Sequence, residues 1–300
     1  MGVSRIHFRS ISLPSRLHPI NPTKNKLELQ NFQSWEFPKT FLITSEFIQS
    51  GLVKLAGLYN SLEKVVTQCS PNTQQSQRID QQHQLEKSMQ ESILEGSIEL
   101  LDICNIIRES IQMIKENVEA LQSALRRKGL DSSIQSDITT YSCFRKKINK
   151  IVAKSLKKLK ILENKNGSYL STNEDQSFIR VLREAIGFTI FVFKCILGFL
   201  SPPVANPGGR NLVSKLMLTK SVVSGEDDSV LSEVGSVNFA LKTLQGRIRS
   251  NCVKTLDVQM LQRSLKNLDV CIEELEGGLG RLFRQLLRSR VKLLNILTDH

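Results

Sequence analysis

The chain is short of the side chains that carry most acid–base and metal chemistry. It has four histidines, His7, His18, His83 and His300. None stands in ligand or triad spacing with a Cys, Asp or Glu. Its six cysteines, Cys69, Cys104, Cys143, Cys195, Cys252 and Cys271, are scattered singly. No pair has the close spacing of a zinc site. Nor are they dense enough for a disulfide framework, so a reduced intracellular, cytoplasmic setting is expected. A glycine-rich phosphate loop is missing too. Gly277-Gly278-Leu279-Gly280 lacks the following Lys-Ser/Thr and follows no strand pattern. The apolar stretch Ala185–Leu200 is interrupted by Lys194 and preceded by Arg180, Arg183 and Glu184. A membrane span needs about 20 apolar residues, so a buried bundle helix is the expectation there. There is no secretory hydrophobic region at the start. These absences leave no catalytic constellation, no cofactor motif and no metal site, and the expected protein is not an enzyme.

What is present is helical periodicity. Between Leu85 and Gly129, apolar residues fall at Leu94, Ile98, Leu101, Cys104, Ile107, Ile111, Ile114, Val118, Leu121 and Leu125. The steps are threes and fours, one face of a helix. Ile93, Leu100, Ile103, Ile106 and Met113 widen that face, so the helix has several neighbours. Ser88 and Glu91 fit a capping box, and Arg126-Arg127-Lys128-Gly129 a stop. A first helix is expected over Phe41–Gln68 and a polar connection over Cys69–Gln84. Further helices are expected over Ser136–Leu162 and Glu174–Leu200, and a short one around Val237–Leu244. The C-terminal segment that follows carries a near-heptad seam, Leu261, Leu265, Leu268, Ile272, Leu275, Leu279, Leu282, Leu286, Leu293 and Ile296. That seam is expected to pack on its own bundle. Gly277, Gly278 and Gly280 each cost about 1 kcal/mol in a helix interior, so a bend is expected there, short of a break. The fold class is all-α: an elongated antiparallel bundle of about five long helices over residues 41–298, with an irregular linker at 201–235.

The formal net charge is +12, and the positive charge is clustered. Arg145, Lys146, Lys147, Lys150, Lys154, Lys157 and Lys158 crowd the third helix, and Glu163 is the nearest acid. This is a candidate face for an anionic partner: an acidic protein or an anionic membrane surface. Nucleic acid fits less well, since the run has few aromatics and no reader motif. A second basic group, Arg281, Arg284, Arg288, Arg290 and Lys292, lies near the C-terminus.

Residues 1–40 read as a disordered basic tail. Arg5, Arg9, Arg16, Lys24 and Lys26 precede Glu28, the first acid, and Pro14, Pro19, Pro22 and Pro38 oppose helix. Within it, Arg9-Ser10-Ile11-Ser12-Leu13-Pro14 has the pattern R-S-x-S-x-P, which resembles the phosphoserine ligand of 14-3-3 proteins. Phosphorylated Ser12 would carry close to two negative charges for an arginine cluster. Arg9, Ser12 and Pro14 are therefore the candidate phospho-dependent docking residues.

Several segments recur as a set: HFRSISLPSRLHP at His7–Pro19, GLYNSLEKVV at Gly57–Val66 and EGSIELLDIC at Glu95–Cys104. They are followed by LQSALRRKG at Leu121–Gly129, LVSKLM at Leu212–Met217 and LEGGLGRLFRQLLRSRVKLLNIL at Leu275–Leu297. In this order they resemble a plant-specific family of helical proteins of unknown function, related to the BYPASS proteins. The resemblance implies no established activity or cofactor, so no site residues transfer. It implies a loose association with root and shoot development, and hence an interaction or scaffold protein.

Overall fold

The computed structural model describes residues 43–68, 80–128, 133–167, 177–202, 232–250 and 252–298. Six helices account for nearly all of them: α1 (Ser45–Gln68), α2 (Asp80–Lys128), α3 (Ile134–Gly167), α4 (Ser177–Leu200), α5 (Glu233–Arg249) and α6 (Thr255–Thr298). There is no strand among the described residues. The tail with Arg9, Ser12 and Pro14, Cys69, and the stretch 203–231 lie outside them.

The helices form because their apolar residues repeat at helical spacing, and they assemble because each apolar face needs another. α2, 49 residues long, spans about 74 Å at 1.5 Å per residue and gives the bundle its elongated form. Ile103, Ile107, Ile111, Ile114 and Val118 line its inner face and are fully or almost fully buried. They share one core with Leu52 and Leu55 of α1, Ile148 and Val152 of α3, and Phe193 and Phe199 of α4. Val237 and Leu244 of α5 and Leu265, Leu268, Ile272, Leu275 and Leu279 of α6 complete it. From Leu261 to Leu286 the leucine seam of α6 is thus buried within its own molecule, and Leu293 packs against the same core.

Cross-helix bonds set the directions. Lys128–Asp137 and Lys165–Glu99 pair α2 with α3 antiparallel. Arg145 with Leu200 and Asn166 with Arg183 do the same for α3 and α4. Lys115–Glu273 and Arg290 with Ser97 hold α2 and α6 antiparallel. α1 and α6 run side by side in the same direction, since Ser45 meets Cys271, Gln285 meets Asn60 and Lys292 meets Glu63. At Cys271 the N-termini of α1 and α5 converge. Ser45 Oγ donates to Glu233 Oε1 at 2.5 Å and lies 3.3 Å from Cys271 Sγ. A carboxylate at that junction offsets the positive ends of two helix dipoles.

Boundaries differ from expectation in places with identifiable causes. α2 starts at Asp80, so the Ser88–Glu91 pair lies inside the helix and does not cap it. Asp80 opens the helix and Gln81, Gln82 and Gln84 are good helix formers, so the helix takes in the last five residues of the expected connection, whose earlier part lies outside the described residues. α5 is longer than its apolar core, because Ser232 caps it by accepting from Gly235 N at 3.2 Å. α6 runs unbroken through Gly277, Gly278 and Gly280. At Gly278 the reason is contact: a Cβ there would stand 2.8 Å from Leu52 Cδ1 of α1. The glycine lets two helices approach where a side chain would hold them apart.

Candidate interaction surface

α3 turns its two sides to opposite environments. Ile138, Tyr141, Ile148, Val152, Leu156, Leu159 and Leu162 face the core. Lys146, Lys147, Lys150, Lys154, Lys157 and Lys158 are exposed on the opposite side, with Lys160 beside them. From Lys147 to Lys157 the stripe covers about 15 Å of helix axis.

Pairing distinguishes these lysines from others in the bundle. Lys115 reaches Glu273 at 3.3 Å, and Lys128 reaches Asp137 at 2.7 Å. Lys165 reaches Glu99 at 3.1 Å, and Lys292 reaches Glu63 at 2.8 Å. Glu163, the acid nearest the stripe in sequence, is taken by Lys194 of α4 at 2.6 Å. None of the six stripe lysines has an ion pair among the described residues. They form a like-charge array, and like charges this close repel one another until an anion arrives.

Arg145, expected on this face, does not belong to it. It is 7% exposed, and its Nη2 donates to the Leu200 carbonyl at the end of α4 at 2.5 Å. Burial pushes its guanidinium pKa down from the ordinary value, partly opposed by neighbouring Tyr141. Arg145 Nε and Nη1 and the Tyr141 hydroxyl are buried with no hydrogen-bond partner among the described residues. Spacing carries the signal: Arg145 falls four residues after Tyr141 and three before Ile148, both on the core face. Its charge conceals its position.

The C-terminal basic group also divides. Arg290 donates to Leu94 O at 2.5 Å and to Ser97 Oγ at 2.8 Å, and Lys292 pairs with Glu63. These tie α6 to α2 and α1. Arg281, Arg284 and Arg288 remain exposed.

The structure adds a second charged stripe that the sequence reading missed. Asp102, Glu109 and Glu116, seven residues apart on α2, are all exposed, as is Glu119. They lie on the outer side of the helix that neighbours the lysines. Their signal in the sequence is a heptad of acids on the face opposite the isoleucines.

Other chemistry is sparse. One cleft, between Ser92, Glu95, Glu99, Lys165, Asn166 and Arg183, has a volume of about 30 Å³, enough for roughly one water molecule. Among the described residues no group of three or more His, Cys, Asp and Glu could hold a metal ion. Described cysteines are unbridged. Cys104 and Cys195 are buried, which pushes each thiol up to about 12. No described helix is long and apolar enough to cross a membrane. α4, the apolar one, has Phe193 and Phe199 sealed in the core.

No curated protein and no solved structure matches the chain. Residues 51–296 match the model of the family described as Protein BPS1. The match runs from the second turn of α1 to the last turns of α6 and takes in every helix described above. The chain therefore belongs to the BPS1 family.

Proposed function

We propose that this is a non-enzymatic interaction or scaffold protein whose α3 lysine stripe docks an acidic protein surface. The observation that carries the reading is the contrast in pairing: Lys115, Lys128, Lys165, Lys194 and Lys292 tie helices together, whereas Lys147, Lys150, Lys154 and Lys157 have no ion pair among the described residues. The stripe lies on a helix fixed by a deep core, so the backbone that carries the charges needs no ordering on binding and only the lysine side chains must be immobilised. Membership in the BPS1 family supports a role in plant root and shoot development. In the same reading the N-terminal tail is a regulated dock, with Ser12 phosphorylated and held by a 14-3-3 protein through the Arg9–Pro14 motif.

The alternative is a peripheral membrane protein that binds anionic lipid through the same stripe. It is less favoured, because an amphipathic helix grips a membrane with its apolar face. The apolar faces of α3 and α4 are committed to the core. Two assays test the proposal. A labelled glutamate polymer and anionic vesicles are each titrated with the native chain and with the variant Lys147→Gln/Lys150→Gln/Lys154→Gln/Lys157→Gln. Binding of the polymer that the variant loses supports the reading, and binding of vesicles alone overturns it in favour of lipid. For the tail, 14-3-3 capture after phosphorylation must disappear on Ser12→Ala; capture that persists removes that element.

A further inference from the structure

We infer that the acidic surface met by the lysine stripe is the α2 stripe of a second copy of this chain, in a symmetric dimer closed along the α2–α3 groove. The inference rests on the lysine-docking reading above and names its occupant. Three observations lead to it.

The first is complementarity within one face. Asp102, Glu109 and Glu116 are exposed on the outer face of α2, and Lys147, Lys154 and Lys158 are exposed on α3, the helix paired with it. None of Asp102, Glu109 and Glu119 has an ion pair or side-chain hydrogen bond among the described residues, and Glu116 accepts only from Gln112 of its own helix. A broad anionic surface laid on the lysines would also meet the acids beside them. A partner that offers both signs side by side avoids this repulsion.

The second is register. Lys128–Asp137 at one end and Lys165–Glu99 at the other fix how α2 and α3 lie against each other. Counting between them places Glu116 level with the Lys147–Lys150 turn and Glu109 level with Lys154–Lys157. A two-fold axis running along the groove preserves level. It exchanges left for right, so that each copy's acids face the other's lysines. Such a contact is isologous and closes after two copies.

The third is the groove floor. Met113 and Ile151 fall at the same level, with Phe144 further along, and all three are partly buried against the core. A half-buried apolar strip rimmed by charge is the layout of an interface with a dry centre and a polar rim. The net charge of +12 opposes association. The contact should therefore be weak, and it should weaken further with salt, because the exposed acid–lysine pairs that form it are screened.

Sedimentation velocity on the full chain, with protein up to about 100 µM and salt between about 50 and 500 mM, tests this. Two single-sign variants are used, Lys147→Glu/Lys154→Glu and Glu109→Lys/Glu116→Lys, each checked for native helicity. The native chain should dimerise at the lower salt. Each variant alone should weaken the dimer by at least about 100-fold, because like charges then face each other. An equimolar mixture of the two variants should restore a heterodimer, since each then offers the other the opposite sign at every position. A native chain that stays monomeric overturns the dimer. A glutamate polymer added to that same sample shows which reading has failed: if it binds, only the occupant is wrong, and if it does not, the docking reading falls as well. A dimer indifferent to both reversals, or a mixture that does not associate, also overturns the inference. So does flotation on anionic vesicles that the lysine reversal abolishes, which assigns the stripe to lipid.

Discussion

Replacing Gly277 and Gly278 by alanine, one at a time, isolates the contact between α1 and α6. Both glycines sit inside the same helix, so each alanine recovers about 1 kcal/mol of helix propensity. What differs is the space. A Cβ on Gly277 meets nothing closer than Arg281 Nη1 at 3.7 Å, an ordinary contact with the far end of an exposed side chain. A Cβ on Gly278 meets Leu52 Cδ1 at 2.8 Å, with Leu52 Cβ and Cγ at 3.6 and 3.7 Å. Leu52 is 3% exposed and has no open space to swing into. Overpacking of this kind costs about 1–3 kcal/mol. Gly277→Ala should therefore raise stability by up to about 1 kcal/mol. Gly278→Ala should lower it by roughly 0–2 kcal/mol once the propensity gain is subtracted. The gap between the variants, about 1–3 kcal/mol, is the contact cost alone. Urea unfolding followed by circular dichroism reads it as a shift in midpoint at constant slope. In a Leu52→Ala background the gap should shrink, because the clashing methyl is gone. Equal stability of Gly277→Ala and Gly278→Ala would refute the close approach and, with it, the pairing of α1 and α6.

Buried groups supply the other tests. Burial holds the Cys104 and Cys195 thiols protonated up to about 12. The folded value lies above the unfolded one, so this stability is full below about pH 8.5 and is lost as pH rises toward about 12. Thermal midpoints should fall over that window, and less steeply in Cys104→Ala/Cys195→Ala. In the native state at about pH 8, below the ordinary thiol range, a maleimide should label exposed Cys143 and Cys252 while sparing Cys104 and Cys195, as read by mass spectrometry; early labelling of the buried pair would contradict their place in the core. Arg145→Met should be nearly neutral, within about 1.5 kcal/mol, because it removes a poorly paired buried charge while keeping bulk. Arg145→Ala should cost more, since it adds a cavity beneath Leu200. If Arg145 were an exposed member of the lysine row, both changes would be silent in urea melts.

Much of the fold was legible because the information is local. The run Ile103, Ile107, Ile111, Ile114, Val118 can bury itself only as a helix, whatever its neighbours. What the sequence hid depends on partners remote along the chain. Gly278 looks like a weak point in α6 because Leu52, which needs its missing Cβ, lies in another helix. The parallel run of α1 and α6 depends on how Ser45, Glu233 and Cys271 meet, and no spacing announces that. Arg145 is a different case: its charge points outward to solvent, but helical geometry assigns position before chemistry and its register points inward. The lysine row is read directly, since outward residues need only a helix to be aligned. The acid row on α2 is equally local, but it is spaced a full heptad apart and stands out less than the dense apolar face behind it.

The α3 lysines have no ion pair among the described residues, and their proposed role is to receive an acidic partner. The salt dependence of glutamate-polymer binding measures this most directly, by fluorescence anisotropy from low to physiological salt. Affinity should fall steeply with salt for the native chain, with a much shallower slope and weaker binding for Lys147→Gln/Lys150→Gln/Lys154→Gln/Lys157→Gln. An identical slope in the two proteins would contradict that role.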